Sequence, residues 1–181
     1  MSTLELHRCY PLISWTYTLI EPTTKKSVYK SSFSFTRRKV KVFRSATQDS
    51  EDTSIGFIRA HYFSSDMDLW VHDQHAVMQR KHLTSFDSVI DTAGFTGKWR
   101  TRRFDILWRM KLIDRSGQVV AEVRFPIPTL RWTKAATLHF RVPVDETMKN
   151  WIVVSFLAKV EEVRKMRMGT MSAVGAGAAA C

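Results

Sequence analysis

The run Trp151, Ile152, Val153, Val154, Ser155, Phe156, Leu157, Ala158, Lys159, Val160 constrains the fold more than any other part of the chain. It follows Asp145 and Thr147, either of which can cap a helix, and it belongs to a segment, about 145–168, with a helical period. At 3.6 residues per turn its apolar side chains cover nearly every direction, interrupted only by Ser155 and Lys159. A helix apolar all round has to be enclosed on all sides. A bilayer is the wrong container, because crossing one takes roughly 20 apolar residues, and the uncharged stretch here lies between Lys149 and Lys159. The container must therefore be protein. Fully burying one large aliphatic or aromatic side chain is worth roughly 1.5–3 kcal/mol, so the run represents on the order of 15 kcal/mol before entropy. That rivals the net stability of a whole domain.

Strands supply the container. Phe104, Ile106, Trp108, Met110 and Leu112 alternate with Asp105, Leu107, Arg109, Lys111 and Ile113, which predicts a strand over 104–113 with one apolar face. Asp114, Arg115, Ser116 and Gly117 then supply turn chemistry, and Val119, Ala121, Val123 and Phe125 restart the alternation, which predicts a β-hairpin. Pro126 and Pro128 end it. Shorter strands are expected at 15–20, 28–35, 40–44, 55–62, 68–71, 76–81 and 138–142. The expected fold is mainly β (α+β), a closed antiparallel β-barrel surrounding a buried hydrophobic C-terminal helix. The domain spans 1–168. After Val160 the sequence Glu161, Glu162, Val163, Arg164, Lys165, Met166, Arg167 predicts a solvated end to the helix, and the small residues of 169–181 predict a disordered tail.

At 181 residues the chain can bury a real core without disulfides. Its two cysteines, Cys9 and Cys181, form no framework of bridges, and the N-terminus carries no apolar run of the secretory kind. A cytoplasmic location, peripheral to a membrane at most, is the expectation.

A hairpin with a tryptophan on its inner face, one further short strand, and a terminal helix apolar on every side resemble the tubby-like superfamily, which includes the phospholipid scramblases and the plant LURP-one-related proteins. The carrying residues are Gly97, Lys98 and Trp99, then 108–125 (WRMKLIDRSGQVVAEVRF), 138–142 and 150–165 (NWIVVSFLAKVEEVRK). They are most similar to a fungal group of unknown function within that superfamily. The resemblance covers roughly the last half of the chain. It implies a barrel around a central helix and, through the tubby proteins, an affinity for phosphoinositides. The calcium and cysteine-rich features of scramblases are absent.

The charge points the same way. Twenty-eight Lys and Arg against 17 Asp and Glu give a net charge of +11, which favours anionic partners. One cluster, Lys25, Lys26, Lys30, Arg37, Arg38, Lys39, Lys41 and Arg44, lies in a stretch without acidic residues between Glu21 and Asp49, and Arg37, Arg38, Lys39 and Lys41 are its site candidates. A second, Lys98, Arg100, Arg102 and Arg103, brackets Trp99 at what should be the start of the 104–113 strand, and tryptophan among cations suits a membrane interface. Those four site candidates, with Lys98, Trp99, Arg100, Arg102 and Arg103, are the candidate anion- or lipid-binding set, and the membrane reading requires both clusters to share one face. The competing accounts are a protein-interaction module, with cationic strand faces serving only solubility and edge protection, and nucleic-acid binding, for which no motif is present. His61, His72, His75, His82, Asp66, Asp68 and Asp73 have no metal-ligand spacing, so no metal and no cofactor is expected. Without a nucleophile elbow, a Walker loop or a dinucleotide fingerprint, a non-enzymatic binding module is the expectation.

Overall fold

The structure is a computed structural model describing residues 2–9, 15–34, 39–45, 51–61, 66–80, 87–92, 94–101, 109–125 and 134–177. Twelve strands follow one another along the chain: β1 (Thr3–Cys9), β2 (Trp15–Ile20), β3 (Ser27–Ser34), β4 (Lys39–Arg44), β5 (Thr53–Ala60), β6 (Met67–Val71), β7 (Gln74–Arg80), β8 (Ser88–Asp91), β9 (Thr96–Arg100), β10 (Arg109–Asp114), β11 (Val119–Arg124) and β12 (Lys134–Phe140). One helix, α1 (Glu146–Gly177), completes the order. Each strand pairs antiparallel with its sequence neighbour, and β12 pairs with β1, so the meander closes into a barrel. Closure leaves no sheet edge open to pair with another chain.

The size of the ring explains the helix. Twelve strands about 4.8 Å apart, tilted by about 40°, close a ring roughly 24 Å across. A helix with its side chains is about 10–12 Å wide, and the inward side chains of the wall fill the remainder. Trp151, Ile152, Val153, Val154, Phe156, Leu157, Ala158 and Val160 are all buried, facing a lining that includes Leu6, Leu19, Val42, Leu69, Leu112, Ala121 and Leu138. Asp145 starts the helix, its carboxylate accepting from the Met148 amide at 2.7 Å.

The interior also holds polar anchors between wall and helix. The Trp99 indole donates to Ser155 Oγ at 3.1 Å, and Ser155 donates to the Ile152 carbonyl, which satisfies a hydroxyl in the middle of an apolar run. The Tyr17 hydroxyl donates to Glu161 at 2.9 Å, while Lys159 donates to Ser88 Oγ at 2.9 Å and pairs with Glu162. Burial lowers the pKa of the Lys159 ammonium, and the charge of Glu162 opposes that shift. At the other end of the helix, Tyr29 donates to Asn150 Oδ1 at 3.2 Å and Arg44 pairs with Glu146 at 2.7 Å.

Several expectations change. Glu161 and Glu162 do not mark an exit into solvent: both are buried, because Tyr17, Lys159 and Arg80 reach them from inside the wall. The helical backbone runs to Gly177, past the expected end at 168 and through most of the expected tail. Alanine and methionine, frequent in this segment, are good helix formers; residues 178–181 lie outside the described residues. The first part of the 104–113 strand falls within 102–108, also outside them, and β10 begins at Arg109. Gly97–Arg100 belongs to a separate strand, β9, and β1 and β8 were not expected. β8 and β9 are four and five residues long, and their inward positions include Ser88 and Gly97, so no apolar alternation marks them. The predicted hairpin is present as β10 and β11, with Gly117 at φ +88° in its turn.

Candidate functional site: two cationic walls

Inward side chains of the barrel are mostly apolar, and the buried polar groups Tyr17, Ser88, Trp99, Ser155, Lys159, Glu161 and Glu162 bond one another between wall and helix, so the exposed charge lies on the outside. On β9, Lys98 and Arg100 alternate with inward Gly97 and Trp99; on β10, Arg109 and Lys111 alternate with inward Met110 and Leu112. Sheet register then brings distant cations together. Arg100 lies directly opposite Lys111, and Arg109 directly opposite Arg124. Like charges facing one another across a strand pair destabilise a sheet. Two such pairs therefore concentrate positive charge at a cost to the fold.

Carboxylates temper this wall. Glu122, opposite Lys111 on one side and His139 on the other, pairs with Arg124 at 3.2 Å, with Arg141, and with Arg109 at 3.9 Å. Its side chain is only 7% exposed, whereas those of its three arginines are between 38% and 57% exposed. Burial pushes the Glu122 carboxyl up, but the hydrogen bonds and charges of Arg141 and Arg124 outweigh it and hold the pKa below the ordinary 4.5. Lys98 is partly neutralised by Asp87 at 2.8 Å. Burial pushes the Asp87 carboxyl up, but Lys98, the Thr101 amide and the charge of Arg100 outweigh it and hold its pKa below the ordinary value, while Lys111 lies opposite Glu122. The wall β9–β12 thus presents six cations, Lys98, Arg100, Arg109, Lys111, Arg124 and Arg141, around Glu122 and Asp87.

The depressed Glu122 pKa has a measurable consequence. A carboxylate whose folded pKa lies below its unfolded value adds stability that is present above the unfolded pKa and lost as pH falls through the folded one. Glu122→Gln is therefore expected to lower Tm at pH 7. Its deficit relative to the parent chain should vanish in acid, below the ordinary carboxylate range. Thermal melts by circular dichroism at both pH values check this; a deficit that persists unchanged in acid would assign the loss to packing rather than charge.

The other expected cluster sits elsewhere. Lys39 and Lys41 alternate on β4 with inward Val40 and Val42. Lys41 lies opposite Phe57 on β5, which stacks on Trp70 of β6 at 4.2 Å, and Trp70 meets His75 of β7 at 4.5 Å. Lys39 Nζ sits 3.5 Å from the Phe57 ring centroid. Arg59 lies opposite both Lys39 and Asp68. The result is a second outer wall, β4–β7, in which partly exposed aromatic rings are flanked by cations.

Two features of the expected site change. Trp99 is fully buried and bonded to the helix, so it is a core residue, unavailable to a membrane; flanking cations mark a strand whose other face is inward. The described members of the two clusters also do not share a face, so membrane contact through both clusters together, as expected from the sequence, fails. From β4 to β9 the ring passes through β5, β6, β7 and β8, five steps in a ring of twelve, so Lys39 and Lys41 lie nearly across the barrel from Lys98 and Arg100. Arg37, Arg38, Arg102 and Arg103 lie outside the described residues. The contributions of Arg109, Lys111, Arg124 and Arg141 were not anticipated, since each is separated in sequence from the others and only pairing register joins them.

The described histidines do not gather into a metal centre. His61 and His75 contact different oxygens of Asp68, at 3.1 and 3.3 Å, while His72 faces Asn150 at 3.2 Å and Asp66 accepts from the Arg80 amide. Among the described residues, no group of three or more His, Cys, Asp or Glu can hold a metal ion, and no helix is long and apolar enough to cross a membrane. His82 lies outside the described residues.

Comparison with known proteins finds no matching family model, no matching curated protein and no matching solved structure.

Proposed function

We propose that this chain is a tubby-like barrel acting as a non-enzymatic module that adsorbs to anionic phospholipid surfaces through the wall β9–β12 alone, a narrower reading than the expected one, because one flat surface cannot meet both clusters. The observation that carries this reading is the register that sets Arg100 opposite Lys111 and Arg109 opposite Arg124, side by side on one exposed face. Directly opposed side chains have Cβ atoms about 4.5–5.5 Å apart, a spacing at which two cations can share one phosphate. For Arg100 and Lys111 the cross-strand repulsion is relieved when an anion sits between them; Arg109 and Arg124 already share Glu122. Guanidinium groups, three of them held near Glu122, favour phosphate through paired N–H donors.

Each Lys or Arg near an acidic leaflet contributes about 1 kcal/mol. Replacing Arg100 and Lys111 by Glu is therefore expected to weaken partitioning by roughly thirtyfold or more, since 1.4 kcal/mol is tenfold in affinity. Sedimentation with phosphatidylcholine vesicles, with and without phosphatidylserine, reads this directly. The expected result is pelleting only with anionic vesicles, diminishing as salt rises. Equal pelleting with both vesicle types, or no change on Arg100→Glu with Lys111→Glu, would sink the lipid reading in favour of a protein-interaction role. Vesicles that add a phosphoinositide test whether the headgroup charge implied by the tubby resemblance matters.

A further inference from the structure

We infer that the barrel bridges two anionic membrane surfaces, because its second cationic wall faces away from the first. This inference rests on the membrane reading above and adds a second contact and a consequence. The carrying observation is topological. In a side-on encounter the wall β9–β12 lies against one bilayer, and β4–β7, centred five strands further round the ring of twelve, faces the opposite direction. A rigid closed barrel cannot fold these walls onto one plane.

The second wall suits the same class of surface by different means. Lys39, Lys41 and Arg59 supply the charge, against Asp68 as the carboxylate among them. Phe57 and Trp70 are stacked and partly exposed beside them, an aromatic body rimmed by cations of the kind that settles at a headgroup layer. The charges are thus divided between two sides, which gives each bilayer fewer contacts but lets one molecule hold two.

Mixing the full chain with phosphatidylserine-containing vesicles and following light scattering together with sedimentation tests the inference. The expected result is vesicle clustering, reversed by salt. The double variant Lys39→Glu with Lys41→Glu should still pellet with vesicles yet lose clustering. The double variant Arg100→Glu with Lys111→Glu should also lose clustering while keeping a residual, salt-sensitive pelleting through the second wall. That residue should disappear when all four substitutions are combined. Circular dichroism melts of each variant establish that it is folded.

Three results overturn the inference. One is parent protein that pellets without clustering vesicles. Another is clustering that survives Lys39→Glu with Lys41→Glu. The third is complete loss of pelleting in Arg100→Glu with Lys111→Glu, which would assign clustering to association between protein copies instead of a second lipid contact. Failure of the underlying membrane reading looks different: no variant, and not the parent, pellets with anionic vesicles at any salt concentration.

Discussion

A chain ending at Val144 is expected to be recovered almost entirely as insoluble protein. Removing α1 takes Trp151, Ile152, Val153, Val154, Phe156 and Leu157 out of the barrel and leaves the lining they cover, including Leu69, Leu112, Ala121 and Leu138, facing an empty lumen. Neither side can be repaired by water, since apolar surface of this extent drives collapse or aggregation. Phe156 alone gives a graded version. It is fully buried, and deleting a buried phenylalanine side chain costs about 3–5 kcal/mol through lost transfer energy and the cavity left behind. For a chain of this length that corresponds to a fall in Tm of roughly 6–20 °C. Phe156→Lys adds an uncompensated buried charge and should behave like the truncation. Soluble, cooperatively melting material from the truncated chain or from Phe156→Lys, judged by recovery after centrifugation and by thermal melts, would contradict the enclosure of the helix.

Gly56→Ala is expected to have the next largest effect, for a reason that lies in the wall. A Cβ added at Gly56 would fall 2.0 Å from the backbone carbonyl oxygen of Trp70 on the neighbouring strand. Backbone cannot swing aside as a side chain can, so β5 and β6 must separate at this point, breaking the pairing of Gly56 with Val71. Overpacking typically costs 1–3 kcal/mol and occasionally more, and a clash with backbone belongs at or above about 3 kcal/mol. The local geometry explains the close approach. Register between β4 and β5 shifts beside Gly56, so Ile55 and Gly56 are buried in succession instead of alternating, as at a bulge. Gly94 provides the control, because a Cβ there meets nothing within 4 Å. Gly94→Ala should therefore melt within a degree or two of the parent. Equal Tm values for Gly56→Ala and Gly94→Ala would show that the β5–β6 pair is not as closely joined as its register implies.

The candidate site was only partly legible in the chain order. Lys98 and Arg100 were visible as a cationic pair, and so were Lys39 and Lys41, because local clustering needs no fold to be seen. Arg109, Lys111, Arg124 and Arg141 look like ordinary polar members of alternating strands until register sets Lys111 beside Arg100 and Arg109 beside Arg124. Trp99 illustrates the opposite error. A tryptophan flanked by Lys98 and Arg100 satisfies two readings, an exposed interfacial ring or an inward residue on a half-buried strand, and a period of two does not say which face is inside. The partner that decides is Ser155, 56 residues away on the helix.

By itself the sequence determined that residues 151–160 must be enclosed on every side by protein, that strands do the enclosing, and that β10 and β11 form a hairpin. Each follows from local periodicity and from the cost of leaving apolar surface in water. Only the tertiary structure decided that the strands number twelve and close through β1 and β12, that Glu161 and Glu162 stay inside, and that the cations divide between opposing walls. Those outcomes depend on lateral pairing between segments far apart in the chain. Alternation specifies which side chains share a face of one strand, but strand order and register alone specify which faces become neighbours.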